Sequence, residues 1–370
     1  MTRLRVTVVT HNLEYEGAPL VLFELIRGLA NDGVVSPSIV SMSEGPLRAD
    51  YERLGFPVRV VGTPLRTVRV ALSLVRRSSD VLVANTVLAH WAIDSAHRAR
   101  RPSLWFIHES EPAFSLLSSP RARKRAERAL GRAQRVVFPS HATRAVYDPR
   151  GERSNLSVFH NGFDRASYDA RTRGRSSEEI RARLGLASGT IAGTLVGTVT
   201  PRKSQLDAVR AVAALPKDLA ARLALFVVGD VPGEYSRTIH AAAQSLPPGT
   251  VRFVPYASDV LDYWLAADFA LSTSRIEAFP KVVQEAMYFG LPLVVAPVFG
   301  IAEQVEDEKS ALFFPPGDTG ALAVQVGRII ESEALRRRLG NAARDALGGL
   351  PSMEDMVAQY GRWLREATIV

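Results

Sequence analysis

The stretch Phe269-Ala270-Leu271-Ser272-Thr273-Ser274-Arg275-Ile276-Glu277-Ala278-Phe279-Pro280-Lys281-Val282-Val283-Gln284-Glu285-Ala286-Met287 reads as one strand, one loop and one helix. The apolar run 269–272 is short and suits a buried strand. Pro280 suits the first turn of a helix, because its ring presets φ and its missing N–H is not needed there. Glu277 then lies in the loop, and Glu285 lies about two turns into the helix. Unpaired amides at such a helix start can hold anionic or hydroxyl oxygens. Two carboxylates on one loop–helix unit suit a polyhydroxylated ligand, since each can accept hydrogen bonds from vicinal hydroxyls. A capped helix with a solvated Glu285 fits the same letters, and the spacing by itself does not choose.

Outward from this unit the same alternation fills the chain. Strands are expected at 4–10, 38–41, 58–61, 81–84, 104–107, 135–138 and 157–159, with helices such as 18–31, 87–100 and 121–132 between them. From 165 to 188 the pattern breaks into Arg, Ser and Asp, with one short helix near 178–184. It resumes with strands at 190–197, 223–229, 251–254, 293–296 and 311–314, and ends in a helix over 352–367. Strands alternating with helices imply parallel sheets joined by right-handed crossovers. At 370 residues the chain is long enough for two such domains. The expected fold class is therefore α/β, with two facing Rossmann-like doubly wound domains. Residues 1–164 form the first, 165–188 the connection, 189–351 the second, and 352–370 a helix returning to the first. Ligands of open α/β sheets bind beyond the carboxyl ends of the strands, which places the site in the interdomain cleft.

Composition removes several chemistries. The chain has no cysteine, so disulfides, thiolate zinc sites and cysteine nucleophiles are excluded. No apolar run approaches the roughly 18 residues of a membrane helix. The apolar stretch 6–9 is too short for a signal-peptide core, and a cytoplasmic protein is expected. Charge is uneven: residues 1–175 hold 27 Lys and Arg against 16 Asp and Glu, while 176–370 hold 19 against 22. Arginine outnumbers lysine 41 to 5, as codon usage in a GC-rich genome would produce. The split between halves instead suggests an anionic partner for the first. The basic segment 121–135, with Arg121, Arg123, Lys124, Arg125, Arg128, Arg132 and Arg135, is a candidate to dock on anionic lipid, peripherally at the inner membrane face. Its other face, Ala126, Ala129, Leu130 and Ala133, fits packing on a sheet. No nucleic-acid partner is expected.

Further candidates sit just after strands. Arg202 and Lys203 follow the first strand of the second half and precede a helix over 205–215. Two fixed cations beside a helix N-terminus suit a diphosphate and the charge that grows as it departs. Gly17 lies between the first strand and a helix, where glycine permits close approach of backbone to phosphate. His108 ends a strand.

The spacing Glu277-x7-Glu285, continued by Ala286-Met287-x-x-Gly290-x-Pro292-x-Val294, resembles the retaining glycosyltransferases of family four, of the GT-B fold. Val196-Gly197-Thr198-Val199-Thr200-Pro201-Arg202-Lys203-Ser204-Gln205, Val228-Gly229-Asp230, Gly300-Ile301-Ala302-Glu303 and Ala311-Leu312-Phe313-Phe314-Pro315-Pro316-Gly317-Asp318 add to the likeness. The first half contributes Gly17-Ala18-Pro19, His108-Glu109 and Asn161-Gly162-Phe163-Asp164. The resemblance implies that Glu285 holds the donor ribose and that Glu277 faces the donor sugar or acceptor. It implies that backbone from Ala278 through Phe279, Pro280, Lys281 and Val282 reaches the sugar and distal phosphate, and that His108 contacts the donor sugar or phosphate. Backbone at Val254-Pro255-Tyr256 would read the nucleotide base. Where many members carry Arg after the strand glycine this chain has Thr198, with Arg202 the candidate to supply that cation. Where the family usually has Gly, this chain has Ala278.

The implied reaction moves a hexose from a nucleoside-diphosphate sugar, UDP- or GDP-linked, to an acceptor hydroxyl with retention. The acceptor would be a glycan, a lipid-linked or a small molecule. No carboxylate stands out as a covalent nucleophile. No cofactor is expected, and no Asp-x-Asp element offers to hold Mg²⁺. The rival readings are a GT-B-fold nucleotide-sugar epimerase and a catalytically silent sugar-nucleotide-binding homologue. A two-domain solute-binding protein is disfavoured by the missing export signal.

Overall fold

The structure, a computed structural model, describes residues 2–62, 73, 75, 79–256 and 259–369. It divides into two compact units, one of residues 1–164 with 351–370, the other of residues 165–350.

The first unit holds β1 (Leu4–Thr10), β2 (Val35–Ser41), β3 (Val58–Val60), β4 (Val81–Asn85), β5 (Ser103–Phe106), β6 (Arg135–Phe138) and β7 (Leu156–Val158). They form a sheet in the order β3-β2-β1-β4-β5-β6-β7, each neighbouring pair parallel. Consecutive side chains of a strand face opposite ways, and two cores result. Val6, Val8, Val81 and Val83 face one layer with helices Gly17–Asn31 and Met353–Thr368. Val9, Leu82, Ala84 and Trp105 face the other, with helices His90–Arg98 and Pro120–Leu130. Strands buried on both faces read as continuous apolar runs, as they do here.

The second unit repeats the plan with β8 (Ile191–Val196), β9 (Leu223–Asp230), β10 (Val251–Pro255), β11 (Phe269–Ser272), β12 (Leu293–Val295) and β13 (Ala311–Phe313). The order is β10-β9-β8-β11-β12-β13, again parallel throughout. In each unit the strand order reverses beside the first strand, between β1 and β4 and between β8 and β11. Loops diverge at such a switch point and leave a crevice at the carboxyl edge.

The stretch 165–188 differs from a bare connection. It carries helices Arg165–Thr172 and Ser177–Arg183 and belongs to the second unit. The arginines that suggest solvent in the sequence find aspartates instead: Arg171 and Arg175 pair with Asp259, Arg175 and Arg183 with Asp262, and Arg181 with Asp268.

Candidate active site

In the second unit two loops meet at the switch point, one after β8 (197–204) and one after β11 (273–280). The first is turned sharply: Gln205 lies under it, donating Nε2 to the carbonyls of Gly197 (3.2 Å) and Thr198 (3.1 Å) and accepting from the Thr200 amide. Gly229 at the end of β9 has φ +111°, and a Cβ there would fall 2.6 Å from the Gly197 carbonyl oxygen. Glycine is required for the two strand ends to lie this close. Ser204 stands at φ +54°, left-handed for a residue with a side chain.

That strained position is held from the second loop. Thr273 Oγ1 donates to the Lys203 carbonyl (2.8 Å), the Arg275 amide donates to the Arg202 carbonyl (2.8 Å), and Arg202 donates back to the Ile276 carbonyl (2.8 Å). Arg275 donates to Ser204 Oγ and pairs with the buried Asp207 at 2.6 Å. Its guanidinium passes over Gly317, where a Cβ would come within 2.1 Å of it.

Glu277 lies where the loops join. Its carboxylate accepts from Lys203 Nζ and Ser274 Oγ (2.8 Å), with Arg202 at 3.6 Å. Burial by itself raises the carboxyl pKa, but the charges of Lys203 and Arg202 and the hydrogen bonds from Lys203 and Ser274 outweigh it and hold Glu277 below the ordinary value. It is ionised at neutral pH, and with Lys203 and Arg202 it leaves a surplus of one positive charge beside the loop. Helix Lys281–Tyr288 begins three residues beyond the loop carboxylate's neighbour Ala278, and no side chain caps it. Pro280, expected in the first turn, stands one place earlier as N-cap. Its extended ψ of 128° aims its carbonyl at Gln304 Nε2 (3.1 Å). Ala278 is not among the residues with positive φ, so its methyl group costs nothing where the family usually has glycine.

Glu285 is buried and not solvated. Its oxygens accept from Tyr168 Oη (2.5 Å) and Trp264 Nε1 (3.1 Å), both within the second unit. Val254 is the next-to-last residue of β10, at a break in register with β9, and the Tyr256 amide donates to the Asp230 carbonyl at 3.0 Å.

In the first unit Gly17 is the first residue of its helix, and a Cβ there would meet nothing within 4 Å. Its neighbourhood is open, and packing does not demand glycine. His108 follows β5. Its Nε2 is shut off from solvent and has no hydrogen-bond partner in the structure, and burial together with the nearby His11 pushes its pKa down to about 4. The imidazole is neutral at physiological pH.

Residues 176–346 match the family described as Glycosyl transferases group 1, and residues 15–167 match Glycosyltransferase Family 4. The chain belongs to the family-four glycosyltransferases of the GT-B fold. A D-inositol 3-phosphate glycosyltransferase of Nocardioides sp. is 33% identical over 213 residues, covering 54% of this chain and 45% of the relative. One of Salinispora arenicola is 28% identical over 268 residues, covering 69% and 59%. The chain thus spans about half the length of the curated relatives it matches. Among solved structures the HepE protein of Anabaena in complex with UDP-glucose superposes with a TM-score of 0.86 at 23% identity, covering 98% of this chain and all of that one.

For this family-four chain, then, the structure gathers Thr198, Arg202, Lys203, Glu277 and the 278–282 backbone around one switch point, and sets Glu285 on the helix that leaves it. Gly17 and His108 stand at the strand edge of the other unit. Sequence reasoning missed the residues that support these: Ser274 under Glu277, Arg275 behind Ser204, and Tyr168 and Trp264 on Glu285. Ser274, three residues before Glu277, is a findable signal. Tyr168 is 117 residues from Glu285, and no local pattern points to it.

Proposed function

We propose that the protein transfers a hexose from a nucleoside-diphosphate sugar to an acceptor hydroxyl, with retention of configuration. The observation that carries this reading is the Lys203–Glu277–Arg202 cluster at the head of an uncapped helix. A diphosphate laid there meets a net positive loop and helix amides, and both stabilise charge on the departing nucleoside diphosphate. Lys203 is already fixed by Glu277, so this field needs little rearrangement as the bond breaks. Glu285 would accept hydrogen bonds from ribose hydroxyls. With Arg202 and Lys203 on the phosphates, no divalent ion is needed and none is proposed. A UDP-linked donor is the first choice because the Anabaena neighbour was solved with UDP-glucose. The Nocardioides and Salinispora relatives are named for a phosphorylated polyol acceptor, which makes polyol phosphates the first acceptors to try. The exposed cations of helix Pro120–Leu130 would bring the protein to anionic lipid.

The test is nucleoside diphosphate release from a panel of UDP- and GDP-sugars, with polyol phosphates and glycans as acceptors, in EDTA. Release that depends on acceptor and persists in EDTA is expected. A converted sugar nucleotide with no transfer product would instead show an epimerase, and activity restored only by Mn²⁺ would overturn metal independence.

A further inference from the structure

The carboxyl edge of the first sheet contains a backbone conformation that costs energy and a carboxylate that holds it. Thr86, directly after β4, has φ 71° and ψ 160°, a region open to glycine and scarcely to any residue with a Cβ. Its surroundings over-determine it. The Thr86 amide donates to the Phe106 carbonyl (2.7 Å), and the Thr86 carbonyl accepts from Nε1 of the fully buried Trp105 (2.8 Å). Its Oγ1 lies 3.3 Å from His11 Nδ1. The next amide, Val87, donates to both oxygens of Glu109 (3.2 and 3.1 Å), and Glu109 also accepts from the His108 amide at 3.1 Å. One carboxylate therefore joins the end of β4 to the end of β5, directly at His108.

We propose that Glu109 is a positioning residue: clamped on the amides of Val87 and His108, it keeps the strained Thr86 turn in place and fixes the backbone from which the His108 ring projects. As an ionised group Glu109 accepts only, which suits two converging N–H donors. Once protonated it becomes partly a donor and faces those N–H groups with a proton of its own. The transition falls in a usable range. Burial pushes the Glu109 pKa up to about 7, the Val87 and His108 amides pull against it, and the charge of Glu111 adds to the rise. Tyr147 feels its charge, held above the ordinary tyrosine value by burial and by Glu109 and Glu111, while His11 and His108, which follow strands of the same sheet, are held below the ordinary histidine value by burial. The clamp is closed above neutral pH and opens as pH falls through Glu109's own value.

The consequence for turnover rests on the glycosyl-transfer reading; the clamp itself does not, and the experiment separates them. In the full-length protein, NMR should show the Val87 and His108 amide protons shifting together with a midpoint near pH 7, and Glu109→Gln should abolish that shift. With a donor that is turned over, Glu109→Gln should lower kcat by between about tenfold and a hundredfold, as small misplacements of catalytic groups do. It should flatten the acid limb of the pH profile and leave donor KM within about twofold, since the donor-binding cluster lies on the other unit. Thr86→Gly, which removes the strain, should restore part of the loss in the Glu109→Gln background, where a merely destabilised fold would not recover. Amides that do not respond near pH 7, or a Glu109→Gln enzyme with the wild-type profile, would overturn the clamp. If no donor is turned over, the amide titration alone decides it.

Discussion

At the scale of single residues, three carboxylates behave differently because of what surrounds them. Glu277 sits among cations and is held ionised. Glu109 accepts from backbone amides and has Glu111 nearby, with no cation among the causes that shift it, and burial dominates. Glu285 accepts from two neutral donors, Tyr168 and Trp264. A carboxylate held in place this way is suited to accept hydrogen bonds from hydroxyls. If it accepts hydrogen bonds from a ribose, Glu285→Ala should weaken nucleoside diphosphate binding by about 1.5–3 kcal/mol, the range for a hydrogen bond to a charged group. Calorimetry on the folded variant reads this directly, and unchanged affinity refutes the role. Glu285→Gln keeps the shape but loses the charge, and should fall between the two.

At the scale of elements, legibility followed burial. The strands 4–10, 135–138 and 269–272 coincide with the structure because each has buried apolar residues at its centre and a polar residue, Thr10, Arg135 or Ser272, marking an end. Helix Arg165–Thr172 was hidden because it buries only Tyr168 among its eight residues, so it carries no apolar stripe. The two loops of the candidate site were legible as positions after strands. Their mutual support was not, because the Arg202–Ile276 and Lys203–Glu277 contacts each span 74 residues. The Glu109 clamp depends likewise on an amide 22 residues away. The basic helix Pro120–Leu130 shows the same division. It buries Ala126, Ala129 and Leu130 and exposes Arg121, Arg123, Lys124, Arg125 and Arg128. Two cations beyond its end are engaged elsewhere: Arg132 pairs with Asp94 at 2.5 Å, and Arg135 with Glu366 at 3.6 Å. The surface proposed for docking is therefore the helix itself. If the helix docks, each basic residue near an anionic surface contributes about 1 kcal/mol, with the exposed Glu127 opposing. The protein should co-sediment with phosphatidylserine-containing vesicles at low salt and release as salt rises. Lys124→Glu with Arg125→Glu should weaken this strongly, and equal partition onto neutral and anionic vesicles would count against a membrane role.

At the scale of the whole molecule, the chain leaves the first unit after Asp164, builds the second, and re-enters the first at Pro351. Re-entry is marked by local chemistry: Ser352 and Asp355 form a reciprocal capping box, and Phe163 and Ser352 pair as a single parallel bridge. Helix Met353–Thr368 then lays Met353, Met356, Val357, Tyr360 and Leu364 into the core that contains Val6, Val8 and helix Gly17–Asn31. Its Tyr360 ring stands edge-on to Phe106 of β5, with centroids 4.8 Å apart. Each such side chain contributes roughly 1.5–3 kcal/mol by burial. Five together are comparable with the about 5–15 kcal/mol that holds an entire domain folded. A chain ending at Pro351 should therefore lose the first unit's fold while the second, whose core takes nothing from this helix, keeps its own. Hydrogen exchange tells the two apart: protection should collapse in β1, β4 and helix Gly17–Asn31 and persist in β8, β9 and β11. Nucleoside diphosphate binding should survive the truncation and transfer should not, because His108 and the Glu109 clamp belong to the unit that unfolds. Wild-type protection in β1, or undiminished transfer, would show that the last helix is dispensable to the unit it completes.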